Sequence, residues 1–530
     1  MKQLILSLLL ICCISTISAQ KKGSFDSPMT KAVMNVYQKQ LDADPKDYET
    51  YFRRANEYYR HSMYDKALSD INNAIKYTPS AQKDLLFQEY TLRANIYTMQ
   101  EKNAEALADL TEALKYDPSS YVTIYQKANM DFELGNYTQA KDGYNRLRRL
   151  NNRSQEALFG LARVAVKENN IGLANEYIEQ AVAINPSNAD AYVRRASVYQ
   201  LMGNTSAAVD DLILAISSDQ KNTKALQELV KMSNTDYSTV ISGLSNAIRQ
   251  APRVGMFYYI RATIAKSHHR YPSAINDYNK IIDERLYDYA GIYASRSECY
   301  YALGNYTEAL HDIDYAIGST INSRDFYLTK SAIKRAMNAP SGALDAANDA
   351  LKKDSEYLPA MISKSLAMVD NGDYQTASDL IGEVTLIDSE KPYYFILRGW
   401  IAAQYLNDTN TANGFYTRAL NVDIARDNIH SLRGFALLQL GRTAEARQWI
   451  ETILSAPDND GTLNYYGACF YAQSGDFEQA FTCMRKALEQ GYANNFDWRY
   501  NNDANINVAP LRSLPEFESL LTQYAGIFEL

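Results

Sequence analysis

Cysteine is scarce in this chain and tryptophan scarcer, five and three residues among 530. Cys12 and Cys13 lie in an N-terminal apolar segment, which leaves Cys299, Cys469 and Cys483, too few for a disulfide framework. Cys469 and Cys483 fall on neighbouring predicted helices, so a bridge and two separate buried thiols both fit. The five histidines are His61, His268, His269, His311 and His430, and none has metal-ligand spacing to a second histidine or cysteine. His268-His269 precedes a predicted turn and reads as solvated. No glycine-rich phosphate loop is present, and no nucleophile with a base and an orienting group. The sequence therefore predicts no catalytic residue, no metal and no cofactor. Basic residues do not outnumber acidic ones: 54 against 62 gives a net charge of -8, which argues against a nucleic-acid or anionic-membrane surface. No long apolar run follows the N-terminal segment, so no stable membrane span is expected.

What the first twenty residues do contain is a targeting pattern. Lys2 is a basic n-region, Leu4 to Ile17 is a short apolar run, and Ile17-Ser18-Ala19 ends on a small residue suited to cleavage. Residues 1–19 are expected to be a signal peptide, with the mature chain starting near Gln20. Export places the protein in the periplasm by preference, with secretion or a lipid anchor as alternatives. A lipid-attachment cysteine wants small residues before it, whereas Cys12 and Cys13 are bracketed by Ile11 and Ile14.

Tyrosine, by contrast, is abundant at 42 residues, and its placement follows an internal period. Small residues recur at Ala106, Ala140, Ala174 and Ala208, at Ala309, Ala343 and Ala377, and at Ala412, Ala446 and Ala480, with a constant step within each series. Ala67 and Ala274 are further markers, and twelve residues before a marker stands another small residue, as in Ala55, Ala94, Ala128, Ala162, Ala196, Ala262, Ser297, Ser331 and Ser365. Four before that sits a large one, often tyrosine: Tyr51, Tyr90, Tyr192, Tyr258, Tyr293, Tyr327. Spacings of three and four put these on one helix face, where small residues permit close approach and aromatics fill the space beside them. Gly135, Gly203, Gly304, Gly372, Gly441 and Gly475 lie five before a marker, where a left-handed cap would stop the first helix. Pro79, Pro118 and Pro186 close the second helix. Each unit reads as helix, turn, helix, stop.

With small residues at its eighth, twentieth and twenty-seventh positions and proline at its thirty-second, this unit resembles the tetratricopeptide repeat over about residues 47–490. The resemblance implies an all-α fold: a right-handed α-solenoid of about thirteen helix-turn-helix units with a C-terminal cap. The expected organisation is a lead-in helix in 20–46, an array in 47–220, a degenerate repeat and possible bend at 221–255, a second array in 256–490 and a capping segment in 491–530. The tail residues Gly491-Tyr492, Trp498, Asp503, Pro510-Leu511-Arg512, Pro515 and Phe517 resemble a segment that follows the last repeat in bacterial proteins of this type. Leu511, Phe517, Leu520 and Leu521 could cover the apolar face that a terminal repeat leaves open.

Charge follows the period too. Arg54 and Asp70, Arg93 and Asp109, Arg195 and Asp211, Arg261 and Asp277, and Arg296 and Asp312 share one spacing and predict five ion pairs between facing helices. Arg398 and Arg433 lack the acid.

The resemblance also implies where partners bind, since stacked repeats line a concave groove with their first helices. Its ninth position gives Asn56, Asn95 and Asn129 in successive repeats, and asparagine offers a donor and an acceptor to an extended backbone. Phe52, Arg53, Tyr59, Arg60, Tyr125 and Phe132 surround them with aromatic and charged groups of the kind interfaces use. A lysine four before each asparagine would mark a chaperone-tail clamp; Phe52, Thr91 and Tyr125 stand there instead. The competing reading is that the asparagines merely bridge or cap neighbouring helices. The predicted function is a non-catalytic protein–protein interaction scaffold of the cell envelope, binding an extended peptide or partner protein in its concave groove, with an envelope complex as an expected setting. A secreted carbohydrate- or peptidoglycan-binding protein is the alternative.

Overall fold

The computed structural model describes residues 28–319, 323–424, 427–502 and 506–529. The signal segment with Cys12 and Cys13, and Asp503 in the tail, lie outside the described residues. Within them every regular element is a helix, and the helices pack in consecutive pairs, an α-solenoid of repeats. No described helix is long and apolar enough to cross a membrane.

Two compact units divide between Leu229 and Val230, inside the helix Thr223–Ser233. In the first, the lead-in helix Pro28–Ala43 packs on Tyr48–Arg60. Five pairs follow: Tyr48–Arg60 with Tyr64–Tyr77, Lys83–Met99 with Asn103–Tyr116, Tyr121–Glu133 with Tyr137–Leu150, Gln155–Lys167 with Ile171–Ile184, and Ala189–Leu201 with Thr205–Ser218. The second unit holds Tyr237–Gln250 and then seven pairs, from Gly255–Ser267 with Tyr271–Asp283 to Thr462–Ser474 with Phe477–Glu489. It ends in the short helices Asn495–Arg499 and Pro515–Gln523. In both units most consecutive first helices touch one another.

The pairs form because small residues meet at their crossings. Ala55 and Ala67, Ala94 and Ala106, Ala128 and Ala140, and Ala162 and Ala174 are all almost wholly buried. Where serine replaces the first alanine, it adds a bond. The hydroxyls of Ser297, Ser331 and Ser365 donate to the carbonyls of Ala309, Ala343 and Ala377 at 2.6, 2.9 and 2.9 Å. A serine there keeps the helices close and satisfies its own buried oxygen.

Each turn needs one left-handed residue. Gly135, Gly203, Gly304, Gly372, Gly441 and Gly475 all have φ between 72° and 88°. Other repeats take the same conformation without glycine, at Ser62, Glu101, Asn169, His269, Asn338 and Asn407.

The five predicted ion pairs are formed, each as a two-pronged fork. Nε and Nη2 of the arginine donate to the two carboxylate oxygens, as in Arg93 to Asp109 at 2.7 and 2.7 Å. The others are Arg54–Asp70, Arg195–Asp211, Arg261–Asp277 and Arg296–Asp312. The aspartates are buried, and the guanidiniums lie over Tyr51, Tyr90, Tyr192, Tyr258 and Tyr293 at 5.3–5.9 Å. In four of the five the remaining nitrogen crosses to the preceding second helix or the lead-in helix. Arg54 donates to Gln38, Arg93 to Asn72, Arg261 to Ser245 and Arg296 to Asn279. One arginine therefore ties three helices, and the tyrosine excess is in part the aromatic floor beneath these arginines.

In the second unit the chain closes back on its own beginning. Asn459 Nδ2 donates to the Asn234 carbonyl at 2.6 Å, and Arg270 Nη2 donates to the Gln490 carbonyl at 2.9 Å. Phe496 stacks on Tyr301, and Asn495 Nδ2 donates to the Leu303 carbonyl. This closure corrects the expectation that His268-His269 is solvated, since both are buried at 4% and 5% exposure. His269 lies between Tyr271 Oη and Thr462 Oγ1, each at 3.0 Å, with the Tyr492 ring 4.4 Å away. His268 meets Ser233 Oγ at 3.1 Å and the ring of Tyr237. The residues that cover His269 stand about 190 and 220 positions further along, beyond the reach of any local pattern.

The tail also does what its apolar residues predict. Leu511, Phe517, Leu520 and Leu521 are buried in one cluster with Cys469 and Phe470 of the last repeat. Arg512 binds the segment together by donating to the Trp498 and Asn501 carbonyls. Cys299, Cys469 and Cys483 are free, buried thiols. Burial pushes Cys469 and Cys483 up to about 12 and about 11, so neither is a thiolate near neutral pH.

Candidate functional site

Asn56, Asn95 and Asn129 stand at one register position on three successive first helices, Tyr48–Arg60, Lys83–Met99 and Tyr121–Glu133. Each follows the buried alanine of its helix by one residue, which turns it from the helix pair toward the partly open face. All three are half-buried.

Their hydrogen bonds differ. Asn56 Nδ2 donates to the Phe52 carbonyl of its own helix at 3.1 Å. Asn95 Oδ1 accepts from Gln126 Nε2 of the next repeat at 3.2 Å. Asn129 Oδ1 accepts from Tyr144 Oη at 2.7 Å and lies 3.5 Å from Arg163 Nη1. The bridging role that competes with peptide binding is thus present at Asn95 and Asn129. It uses only part of each amide. Asn56 keeps its carbonyl oxygen, and Asn95 and Asn129 keep their NH2 groups, with no hydrogen bond among the described residues.

The surrounding residues divide into exposed and covered groups. Arg53 and Arg60 are exposed and pair with Glu49 and Glu57 along their own helix at 3.2 and 3.4 Å. Phe52 and Tyr59 are half-buried and pack on the cluster of the first repeat, with Tyr59 6.1 Å from Tyr64. Burial raises the Tyr59 hydroxyl above its ordinary range. Tyr125 Oη accepts from Arg194 Nη1 at 2.8 Å. Phe132 is 5% exposed, with the Arg163 guanidinium 3.9 Å from its ring centre and Tyr137 beside it. Phe132 therefore offers little surface of its own, and Arg163 presents the face instead.

Arg163 and Arg194 are the residues that the asparagine row did not reveal. Arg163 bonds Glu133 and overlies Phe132, while Arg194 reaches back to Tyr125 across an intervening repeat. Their signal was available in register: Arg163 holds the same position as the asparagines one repeat later. The structure joins Asn129, Phe132 and Arg163 through one set of contacts and Tyr125 and Arg194 through another. Asn56, Phe52, Arg53, Tyr59 and Arg60 form a separate group on the first repeat.

Comparison with known proteins agrees with the repeat. A family model described as tetratricopeptide repeat matches residues 125–189, 159–221 and 259–322, and a second model of the same description matches 468–490. No curated relative matches the chain. Among solved structures, yeast Tom70 shares 14% identity over 77% of this chain and 97% of its own, with a TM-score of 0.35. A tetratricopeptide repeat protein from Parabacteroides merdae shares 20% over 55% of this chain and 98% of its own, at 0.29. YrrB, described as having an unusual peptide-binding site, shares 21% over 36% of this chain and 96% of its own, at 0.28. The matched segments fall in both units, on helix pairs that carry the small-residue crossings and left-handed turns derived above. The chain carries tetratricopeptide repeats in both units.

Proposed function

We propose that the protein is a non-catalytic interaction scaffold, exported to the cell envelope, that holds an extended segment of a partner protein across the first helices of its N-terminal repeats. The observation that carries this reading is the unused hydrogen-bonding capacity of Asn56, Asn95 and Asn129, an acceptor followed by two amide donors at one register position. An extended backbone alternates carbonyls and N–H groups, so such a row holds it whatever its side chains. Arg163 and Arg194 add charge beside the row, and the half-buried rings of Phe52, Tyr59 and Tyr125 add apolar surface.

The test is a crosslinked pull-down from envelope extract with the wild type and an Asn56→Ala, Asn95→Ala, Asn129→Ala variant of equal helicity. A protein captured by the wild type and lost from the variant supports the asparagine row as the binding site. Equal capture assigns the asparagines to helix bridging alone. Envelope export is tested separately, by fractionating cells that express the chain with and without residues 1–19. Retention of the shortened form alone in the cytoplasm supports the signal, and identical fractionation removes it.

A further inference from the structure

In the second unit the arginine ladder loses its acid at Arg398 and at Arg433, and at Arg398 the neighbouring polar partner has changed as well. In five repeats the arginine meets an aspartate three residues after the marker alanine, as Asp70 follows Ala67 and Asp312 follows Ala309. In three of these, its third nitrogen also meets a polar residue in the second helix before it, Asn72, Ser245 or Asn279. Arg398 on helix Pro392–Gln404 occupies the arginine position of a repeat whose turn carries one residue more. Both partner positions have changed. Phe415 stands three after Ala412 in place of the aspartate, and Gly382 stands five after Ala377, where Asn72 follows Ala67 and Asn279 follows Ala274.

The guanidinium is consequently packed but unpaired. Its centre lies 4.5 Å from that of the Phe415 ring. A Cβ added to Gly382 would come within 3.1 Å of it, so Gly382 backs its other side. Nε is buried with no hydrogen-bond partner, and among the described residues no ion pair or hydrogen bond engages the rest of the group. Arg418, one turn beyond Phe415 toward the end of the same helix, is exposed over Phe395 at 5.0 Å and has no carboxylate partner among the described residues. Burial and the like charge of Arg418 lower the Arg398 pKa, and Asp379 is the opposite charge that opposes this. An arginine held between a ring and a glycine backbone, with its edge unused, is preorganised for a planar anion.

We propose that Arg398 and Arg418 form a recognition site for a carboxylate side chain of a partner peptide, which supplies from outside the counter-charge that aspartate supplies in five other repeats. A carboxylate fits better than a phosphate because Asp379 nearby reduces the local positive field, and a carboxylate is the group that these arginines meet elsewhere in the ladder. The site lies in the second unit and stands independently of the asparagine row.

The experiment titrates the full chain at low salt with a hexaglutamate peptide, a hexaglutamine peptide and inorganic phosphate, read by calorimetry. Hexaglutamate is expected to bind the wild type and hexaglutamine not to. Arg398→Gln should weaken hexaglutamate binding at least ~10-fold, in line with loss of one charge-assisted pair. Arg418→Gln, an exposed change that leaves folding intact, should weaken it at least ~3-fold. Phe415→Asp should close the site from within and abolish binding while circular dichroism is retained. The Asn56, Asn95, Asn129 triple variant should bind hexaglutamate as the wild type does. Equal affinity in wild type, Arg398→Gln and Arg418→Gln overturns the proposal. Phosphate displacing the peptide at equal ionic strength overturns its assignment to a peptide carboxylate.

Discussion

Arg93 shows how much one side chain can carry. Its guanidinium makes a fork to Asp109, a bond to Asn72 and a contact with the Tyr90 ring. Removing it strands a buried aspartate, and that penalty exceeds the worth of the bonds themselves. Arg93→Leu is therefore expected to cost about 3 kcal/mol in chemical denaturation. Asp109→Asn, which leaves an acceptor in place, should cost less. Glu89 presents the opposite case, a buried acid without a base. The Thr78 hydroxyl lies 2.9 Å from the Ala74 carbonyl and 2.7 Å from Glu89 Oε1. A hydroxyl has one proton, so if Thr78 gives it to Ala74, Glu89 must be protonated to complete the second bond. Burial pushes Glu89 up to about 7, in agreement. A raised acid contributes stability that is fully present below its unfolded pKa near 4.5 and is lost as pH rises through about 7. Glu89→Gln should flatten the fall in thermal midpoint between pH 4.5 and 8; an unchanged slope would refute the protonated assignment.

At the scale of the helix pair, the left-handed turn residue decides how sharply the first helix stops. Gly372 has φ 88° with nothing near its absent Cβ, so Gly372→Ala tests backbone strain alone and should cost about 1 kcal/mol. Glu101 takes the same conformation at φ 59° with a side chain, and Glu101→Gly should gain roughly 0.5–1 kcal/mol. Gly491, also left-handed at φ 88°, is pressed against the Arg270 guanidinium, so Gly491→Ala should cost more than Gly372→Ala. Equal losses at 372 and 491 would show that Arg270 moves aside freely. These turns were legible in the sequence where glycine marked them. Ser62, Glu101 and His269 were not, because their conformation is imposed by the helices on either side.

Closure is the property of the whole second unit, and His269 sits within it. Burial pushes this histidine down to about 4, with Asp460 acting in the opposite sense. A depressed base contributes stability that is fully present above its unfolded pKa near 6.5 and is lost as pH falls through about 4. The expected fall across that window is at most about 3 kcal/mol. His269→Gln should remove most of the difference between thermal midpoints at pH 7 and pH 4. It should also increase hydrogen exchange in Asn495–Arg499 at pH 7, because that helix is held by the same closure. Unchanged exchange there would separate the histidine from the seam.

The sequence by itself determined everything that recurs at fixed spacing. Ala55 with Ala67, Arg54 with Asp70 and Gly135 in its turn are near neighbours in every unit, so one period encodes them all. The apolar tail residues Leu511, Phe517, Leu520 and Leu521 were readable for a related reason, since an exposed terminal face demands a cover. At the candidate site the period likewise marked the asparagine row and the register position of Arg163, but not the contacts that Arg163 and Arg194 make with Asn129 and Tyr125 of other repeats. Only the tertiary structure decided those contacts, the third bond of four ladder arginines and the burial of His268-His269. They depend on how each repeat turns against the last and on the accumulation of those turns. His269 meets Thr462 across 193 positions because seven successive pairs bring the chain around to it. A local pattern fixes each step of that rotation only loosely, whereas the packed side chains between repeats fix its sum.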